Sequence, residues 1–313
     1  MKTISVVVPV YCNSETLRAL MDELEKASRT LKGYAVEFVF VDDGSTDDSY
    51  EMLRQMSSDN RVRVVKLSRN FGSNAAIHAG LTHAVGEAVV IISADLQDPP
   101  EMIPDLVREW EKGFQVVLAA RTNRVDGFLT RFFAAIFNRL FKKFVFKDFP
   151  RGGFDFALVD KKVRTILVDL REKNSYIFGQ VLWIGFKRTV LHYERGARRG
   201  GRSHWTFVKK IKYLIDAFTA FSYLPIRLMA GLGFLIAGLG ILYAITIVTL
   251  AVFFDYRIPT GWASLVIIVL TTSGTQLILM GVLGEYLWRV LDESRHRPLY
   301  VVESVVEKNR VVG

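Results

Sequence analysis

A chain of 313 residues, 50% of them hydrophobic, can bury the core of one large domain or two. Its formal net charge of +9 points to phosphate-rich partners: nucleic acid, anionic lipid or nucleotide. Cys12 is the only cysteine, which excludes an intramolecular disulfide and an all-cysteine metal site.

The opening MKTISVVVPV is too short an apolar run, broken by Pro9, to read as a signal peptide. Residues 4–8 are predicted as a strand. An amphipathic helix follows, capped by Asn13 or Ser14 and ended at Gly33. A second strand covers 36–41, and the next helix takes Ser45 as its N-cap with Asp48 as a box-like partner. Strands over 62–67, 88–92 and 115–119 alternate with helices over 73–84 and 100–112. Repeated strand–helix units with near-continuous apolar strands predict an α/β fold with a Rossmann-like parallel sheet, covered on both faces. Such sheets bind ligands at the carboxyl ends of their strands.

Beyond residue 120 the character changes. Residues 121–146 and 205–224 interleave Phe and Leu with Arg and Lys, the pattern of amphipathic helices lying on a bilayer surface. Between them RGARRGGRSHW (195–205) sets glycines among arginines, a mobile anion-binding loop. Residues 228–254 and 262–284 contain no charged side chain, and each is longer than the ~20 residues a membrane-crossing helix needs. A two-helix transmembrane hairpin within 226–291 is therefore expected. Basic residues on its flanks place residues 1–204, the juxtamembrane helix (205–225) and the tail (292–313) in the cytoplasm. This predicts a multi-pass protein of the cell's inner (plasma) membrane, with both termini cytoplasmic. Glycines in both spans permit close helix approach and homo-oligomers. The tail, RPLYVVESVVEKN, alternates valine with polar residues and is expected to add a strand to a neighbouring copy. The anchored, Phe-rich character argues against nucleic acid as the partner.

The predicted strand ends hold the polar residues. Neither G-x-G-x-x-G nor a P-loop pattern is present, which argues against a dinucleotide enzyme and an ATPase. Asp42 and Asp43 leave a buried strand as a like-charged pair, able to bond a ribose hydroxyl or a base amino group. In SADLQD, extended backbone would turn Asp95 and Gln97 to one side and Leu96 to the other. Two hard oxygen donors that close suit Mg²⁺ or Mn²⁺ shared with substrate phosphates. Asp98, before two prolines, reads as a helix cap, and Cys12 as a small core residue.

ISVVVPVY, FVFVDDGSTDDS, LSRNFGSNAAIHAGL, ADLQDPPEMI and GEYLWRVLDESRHRPLY resemble the membrane-bound polyprenyl-phosphate glycosyltransferases. These are family-two enzymes of the GT-A fold, similar to dolichol-phosphate mannose synthases and bacterial polyprenyl-phosphate glucosyltransferases. The resemblance covers nearly the whole chain. It implies that Pro9, Tyr11, Asp42 and Asp43 hold the nucleoside of a nucleotide sugar, with Ser93 and Ala94 in the same nucleotide site. It assigns Asp95 and Gln97 to the metal on the diphosphate. The common pattern is D-A-D-L-Q, so Ser93 stands where a first acid is usual. Arg199, Arg202 and Ser203 are implied in a loop closing over the phosphates.

A lipid phosphate is already ionised at neutral pH and needs no general base. The expected reaction is an in-line, inverting transfer of a hexose, with glucose the first choice, from a UDP-sugar to polyprenyl phosphate. Arg121, Arg124 and Arg131 are assigned to the acceptor phosphate and Asp155 to the sugar. Alternatives are GDP-mannose or a UDP-amino sugar as donor, or a membrane-anchored nucleotide-sugar-binding protein without turnover.

Overall fold

The computed structural model describes residues 1–122, 150, 153–170, 172, 176–194, 224–253, 261–308 and 310–311, with only part of the side chains in the last two helices. The chain divides into two units, Met1–Ala217 with Pro298–Gly313, and Phe218–Arg297.

The first unit opens with β1 (Lys2–Val10), α1 (Ser14–Thr30), β2 (Tyr34–Asp42), α2 (Ser49–Met56), β3 (Val62–Leu67), α3 (Ser73–His83) and β4 (Ala88–Ile91). A 3₁₀ turn (Pro100–Met102) leads into α4 (Ile103–Glu111) and β5 (Val116–Arg121). Then come β6 (Phe156–Asp160), α5 (Lys161–Asp169), α6 (Ile177–Trp183), β7 (Arg188–Tyr193) and, in the tail, β8 (Val302–Glu307) and β9 (Arg310–Val311). Among the described residues the strands form one sheet in the order β7-β5-β6-β4-β1-β2-β3-β8-β9.

Apolar spacing explains which face each helix buries. In α1, Leu17, Leu20, Met21, Leu24 and Ala27 recur at helical period and enter the core. They meet Ile4, Val6 and Val8 of β1 and Phe38 and Phe40 of β2. Burying each large apolar side chain contributes roughly 1.5–3 kcal/mol. On the other face α3 lies close against β1 and β2. There a Cβ on Gly80 would overlap the side chain of Val7.

The expected parallel sheet is corrected at two strands. β1 pairs in parallel with β2 and β4, β2 with β3, and β5 with β7. However, β6 lies antiparallel between β4 and β5, and β8 runs antiparallel to β3. The sheet is therefore mixed, in keeping with a GT-A-like α/β fold. The reversal has a consequence for chemistry: the start of β6 reaches the edge where β4 and β5 end.

The tail is corrected as well. β8 pairs with β3 of its own chain rather than with a neighbour, helped by a 2.8 Å Lys66–Glu303 ion pair and by Arg63 with Glu307. Ser68 N–H donates to the Val301 carbonyl at 3.0 Å.

The second unit holds α7 (Leu224–Phe253) and α8 (Trp262–Ser294), which pack on each other. Among the described residues no helix is long and apolar enough to cross a membrane. The expected amphipathic helices over 121–146 and 205–224 lie outside the described residues, apart from the first two positions of 121–146 and the last of 205–224.

Candidate active site

Register brings the first candidate residues together. Val10 of β1 stands beside Asp42 of β2, and Asp43 N–H donates to the Val10 carbonyl at 2.8 Å. Pro9 and Tyr11 thus lie next to Asp42 and Asp43. The two strand-end loops are laced by hydrogen bonds: Cys12 N–H to Ser45 Oγ (3.0 Å), Asn13 N–H to Ser49 Oγ (2.9 Å) and Ser14 N–H to Asp47 Oδ2 (3.1 Å). Ser45 therefore serves the neighbouring loop and is not a helix cap; α2 begins at Ser49. Cys12 is not a core residue either. It is half-buried in a left-handed conformation (φ 53°), with Sγ 3.5 Å from Thr46 Oγ1.

Both acids are buried. Asp42 accepts from Ser45 N–H at 3.3 and 3.4 Å, and burial raises its pKa. Asp43 accepts from Phe71 N–H (2.7 Å) and Gly72 N–H (2.9 Å), one on each oxygen. It clamps the loop after β3, a task that spacing alone did not reveal. Burial pushes Asp43 up to about 6, against the pull of those two amides. A raised carboxylate pKa means the folded state holds its proton more tightly than the unfolded chain. Its contribution to stability is present below pH 3.8 and is lost as pH rises to about 6. Asp43→Asn is expected to gain stability relative to wild type across that window, measured by urea unfolding at both ends of it.

Gly44 holds the turn between these acids and the loop. Its φ is +68°, and a Cβ there would lie 2.5 Å from the backbone carbon of Arg69 and 2.7 Å from Asn70 N. Backbone cannot yield as a flexible side chain does. Gly44→Ala is expected to cost about 1–3 kcal/mol, read from its unfolding midpoint.

The exit of β4 carries the second group. Thr16 Oγ1 donates to the Ala94 carbonyl at 2.8 Å and fixes this segment to α1. Asp95 Oδ1 accepts from Gln97 N–H at 3.1 Å and lies 2.8 Å from Ser93 Oγ. Leu96 is left-handed (φ 57°), so the segment is a turn rather than the extended run expected. Leu96 still packs on the core, while Asp95 and Gln97 remain partly exposed. Asp98 is corrected: it caps nothing. It is wholly buried, accepts from the Tyr193 hydroxyl, and its Oδ2 lies 2.8 Å from Ser93 Oγ. Burial raises the pKa of Asp98, with Arg121 acting in the opposite sense.

The third group joins β5, β6 and β7. Arg121 and Tyr193 are register partners at the ends of β5 and β7. The buried Arg121 guanidinium donates to the half-exposed Asp155, just before β6. Burial works against the arginine's charge, but Asp155 and Asp98 more than offset it, and its pKa is raised. Arg121, expected on the acceptor phosphate, therefore has Asp155 and the Tyr193 hydroxyl as protein partners. Arg124, Arg131, Arg199, Arg202 and Ser203 lie outside the described residues. Tyr193 was missed by sequence reasoning, because only the β5–β7 register brings it here.

Among the described residues, no group of three or more His, Cys, Asp or Glu side chains could hold a metal ion. The donor set that remains on this turn is the Asp95 carboxylate and the side chain of Gln97, whose backbone N–H bonds to Asp95. That set fits a Mg²⁺-type ion completed by substrate phosphates and water. Asp98, bound to Tyr193 and Ser93 inside the protein, is no part of it.

The family profile of glycosyl transferase family 2 matches residues 5–165. The chain belongs to glycosyl transferase family 2. It is 41% identical over 303 residues to the uncharacterized glycosyltransferase YkcC of Bacillus subtilis, covering 96% of this chain and 93% of the relative. It is 36% identical over 307 residues to the bactoprenol glucosyl transferase of Shigella phage SfV, covering 97% and 99%. With the prophage bactoprenol glucosyl transferase homolog of Escherichia coli it shares 34% over 304 residues, covering 96% and 99%. The family match runs from β1 into α5 and takes in Asp42, Asp43, Asp95, Arg121 and Asp155. The sheet edge described above lies within the matched span, apart from Tyr193.

Proposed function

We propose that this glycosyltransferase moves glucose from UDP-glucose to a polyprenyl phosphate at the cytoplasmic face of the inner membrane. The observation that carries the reading is identity along nearly the whole chain to proteins named bactoprenol glucosyl transferase. The sheet edge supplies a chemistry that agrees with it.

In this reading Pro9, Tyr11, Asp42 and the loop held by Asp43 receive the nucleoside, beside Ser93 and Ala94. Asp95 and Gln97 hold a divalent ion, Mg²⁺ or Mn²⁺, on the diphosphate. When bound, that ion supplies charge stabilisation to the departing diphosphate. Asp155, braced by Arg121, faces the sugar. An ionised oxygen of the lipid phosphate attacks the anomeric carbon while the bond to the diphosphate breaks. UDP leaves, and the configuration inverts. The protein's task is to orient and neutralise two anions, for which Arg124, Arg131, Arg199, Arg202 and Ser203 are assigned with Arg121.

Membrane anchoring through α7 and α8 is part of the proposal. Residues 228–254 and 262–284 are uncharged, and large apolar side chains such as Phe234, Leu235, Leu277 and Met280 are exposed. Apolar surface of that extent calls for lipid or a second copy.

The test is a donor comparison. Full-length protein in detergent, given polyprenyl phosphate and Mn²⁺, is expected to release nucleoside diphosphate from UDP-glucose. GDP-mannose and UDP-N-acetylglucosamine are expected to be poor donors. Faster turnover with either of them overturns the assignment of the sugar.

A further inference from the structure

We propose that Asp98 and Tyr193 are positioning residues for Asp95, acting through the hydroxyl of Ser93. The proposal rests on the reading that Asp95 serves the donor diphosphate.

The segment after β4 closes on one of its own hydroxyls. Ser93 Oγ lies 2.8 Å from Asp95 Oδ1 and 2.8 Å from Asp98 Oδ2. Asp98 is fully buried, and its other oxygen takes the hydroxyl of Tyr193 from the end of β7. A serine hydroxyl has one hydrogen, so it donates to one of these two carboxylates at a time, and either choice holds the rotor in the line between Asp95 and Asp98. Asp95 Oδ1 also receives Gln97 N–H at 3.1 Å, so the orientation of its carboxylate is set from two directions. An acid at position 93 would bring a third carboxylate within hydrogen-bond distance of the other two. Serine links them instead.

The far end of the chain is firmly seated. Tyr193 is the register partner of Arg121, and its ring stands edge-on to Phe156 with centroids 6.2 Å apart. Tyr193→Phe therefore keeps the packing and removes the hydroxyl that donates to Asp98 and also bonds to Arg121. Partners one shell behind a ligand that orient it change metal affinity by about 10–100-fold when lost.

The experiment uses full-length protein in detergent. Binding of Mn²⁺ with UDP is followed by electron paramagnetic resonance of free Mn²⁺, alongside kcat, KM and the unfolding midpoint. Ser93→Ala and Tyr193→Phe are each expected to weaken Mn²⁺–UDP binding about 10-fold or more. Ser93→Thr keeps the hydroxyl and is expected to stay near wild type. The double variant is expected to be no worse than the weaker single one, since both cuts fall on one chain of contacts. Wild-type binding in Ser93→Ala, or fully additive losses in the double variant, overturns the proposal. Failure of the wild type itself to bind Mn²⁺ with UDP overturns the donor-site reading first, and the positioning role with it.

Discussion

Asp95→Ala is expected to reduce transfer by on the order of 10²–10³-fold while the unfolding midpoint stays close to wild type. The size follows from losing the carboxylate that would hold a divalent ion, whose charge would stabilise the leaving diphosphate. The small effect on stability follows from position. Asp95 is partly exposed on a turn outside the regular strands and helices. Asp95→Asn keeps the volume and an acceptor for Gln97 N–H, so it separates charge from shape. A large loss of kcat in both variants assigns the effect to charge. Full activity in both removes Asp95 from the site.

Arg121→Leu is expected to be the most destabilising single change at the site, by about 3–5 kcal/mol, because it leaves buried acid without its counter-charge. Arg121 is buried between Asp155 and Asp98, and Asp98 has no access to water. Urea unfolding followed by tryptophan fluorescence reads the loss. Combining Arg121→Leu with Asp98→Asn is expected to recover part of it, since the stranded buried charge is then gone. A loss below about 1 kcal/mol, the size of an exposed pair, would show that the arginine is not acting as a buried counter-ion.

Much of this site was readable in the chain, for physical reasons that also mark where reading stopped. β1 to β4 are apolar runs of strand length between clear turn signals, and strand ends are where such sheets bind. That placed Asp42, Asp43 and Asp95 correctly at one edge. Direction was not legible: a short buried strand such as β6 shows no feature that tells parallel from antiparallel. Its reversal is what carries Asp155 to Arg121. Local patterns misled at Asp98, where an acid before Pro99 and Pro100 reads as a cap. Its real partner, Tyr193, is brought in by strand pairing far along the chain. At Leu96 the cause is local: the Asp95 carboxylate takes the Gln97 N–H and closes a left-handed turn where an extended segment was expected. In the tail, alternating valines announced a strand, but only the edge of β3 decided which strand it would join.

The most direct measurement is mass spectrometry of the lipid formed when the full-length protein, in vesicles containing polyprenyl phosphate, is given UDP-glucose and Mn²⁺. The expected product is polyprenyl phosphate carrying one hexose, formed in equal amount with UDP. A diphosphate-linked sugar lipid accompanied by UMP, or UDP released with no glycolipid, contradicts transfer of the sugar to the lipid phosphate.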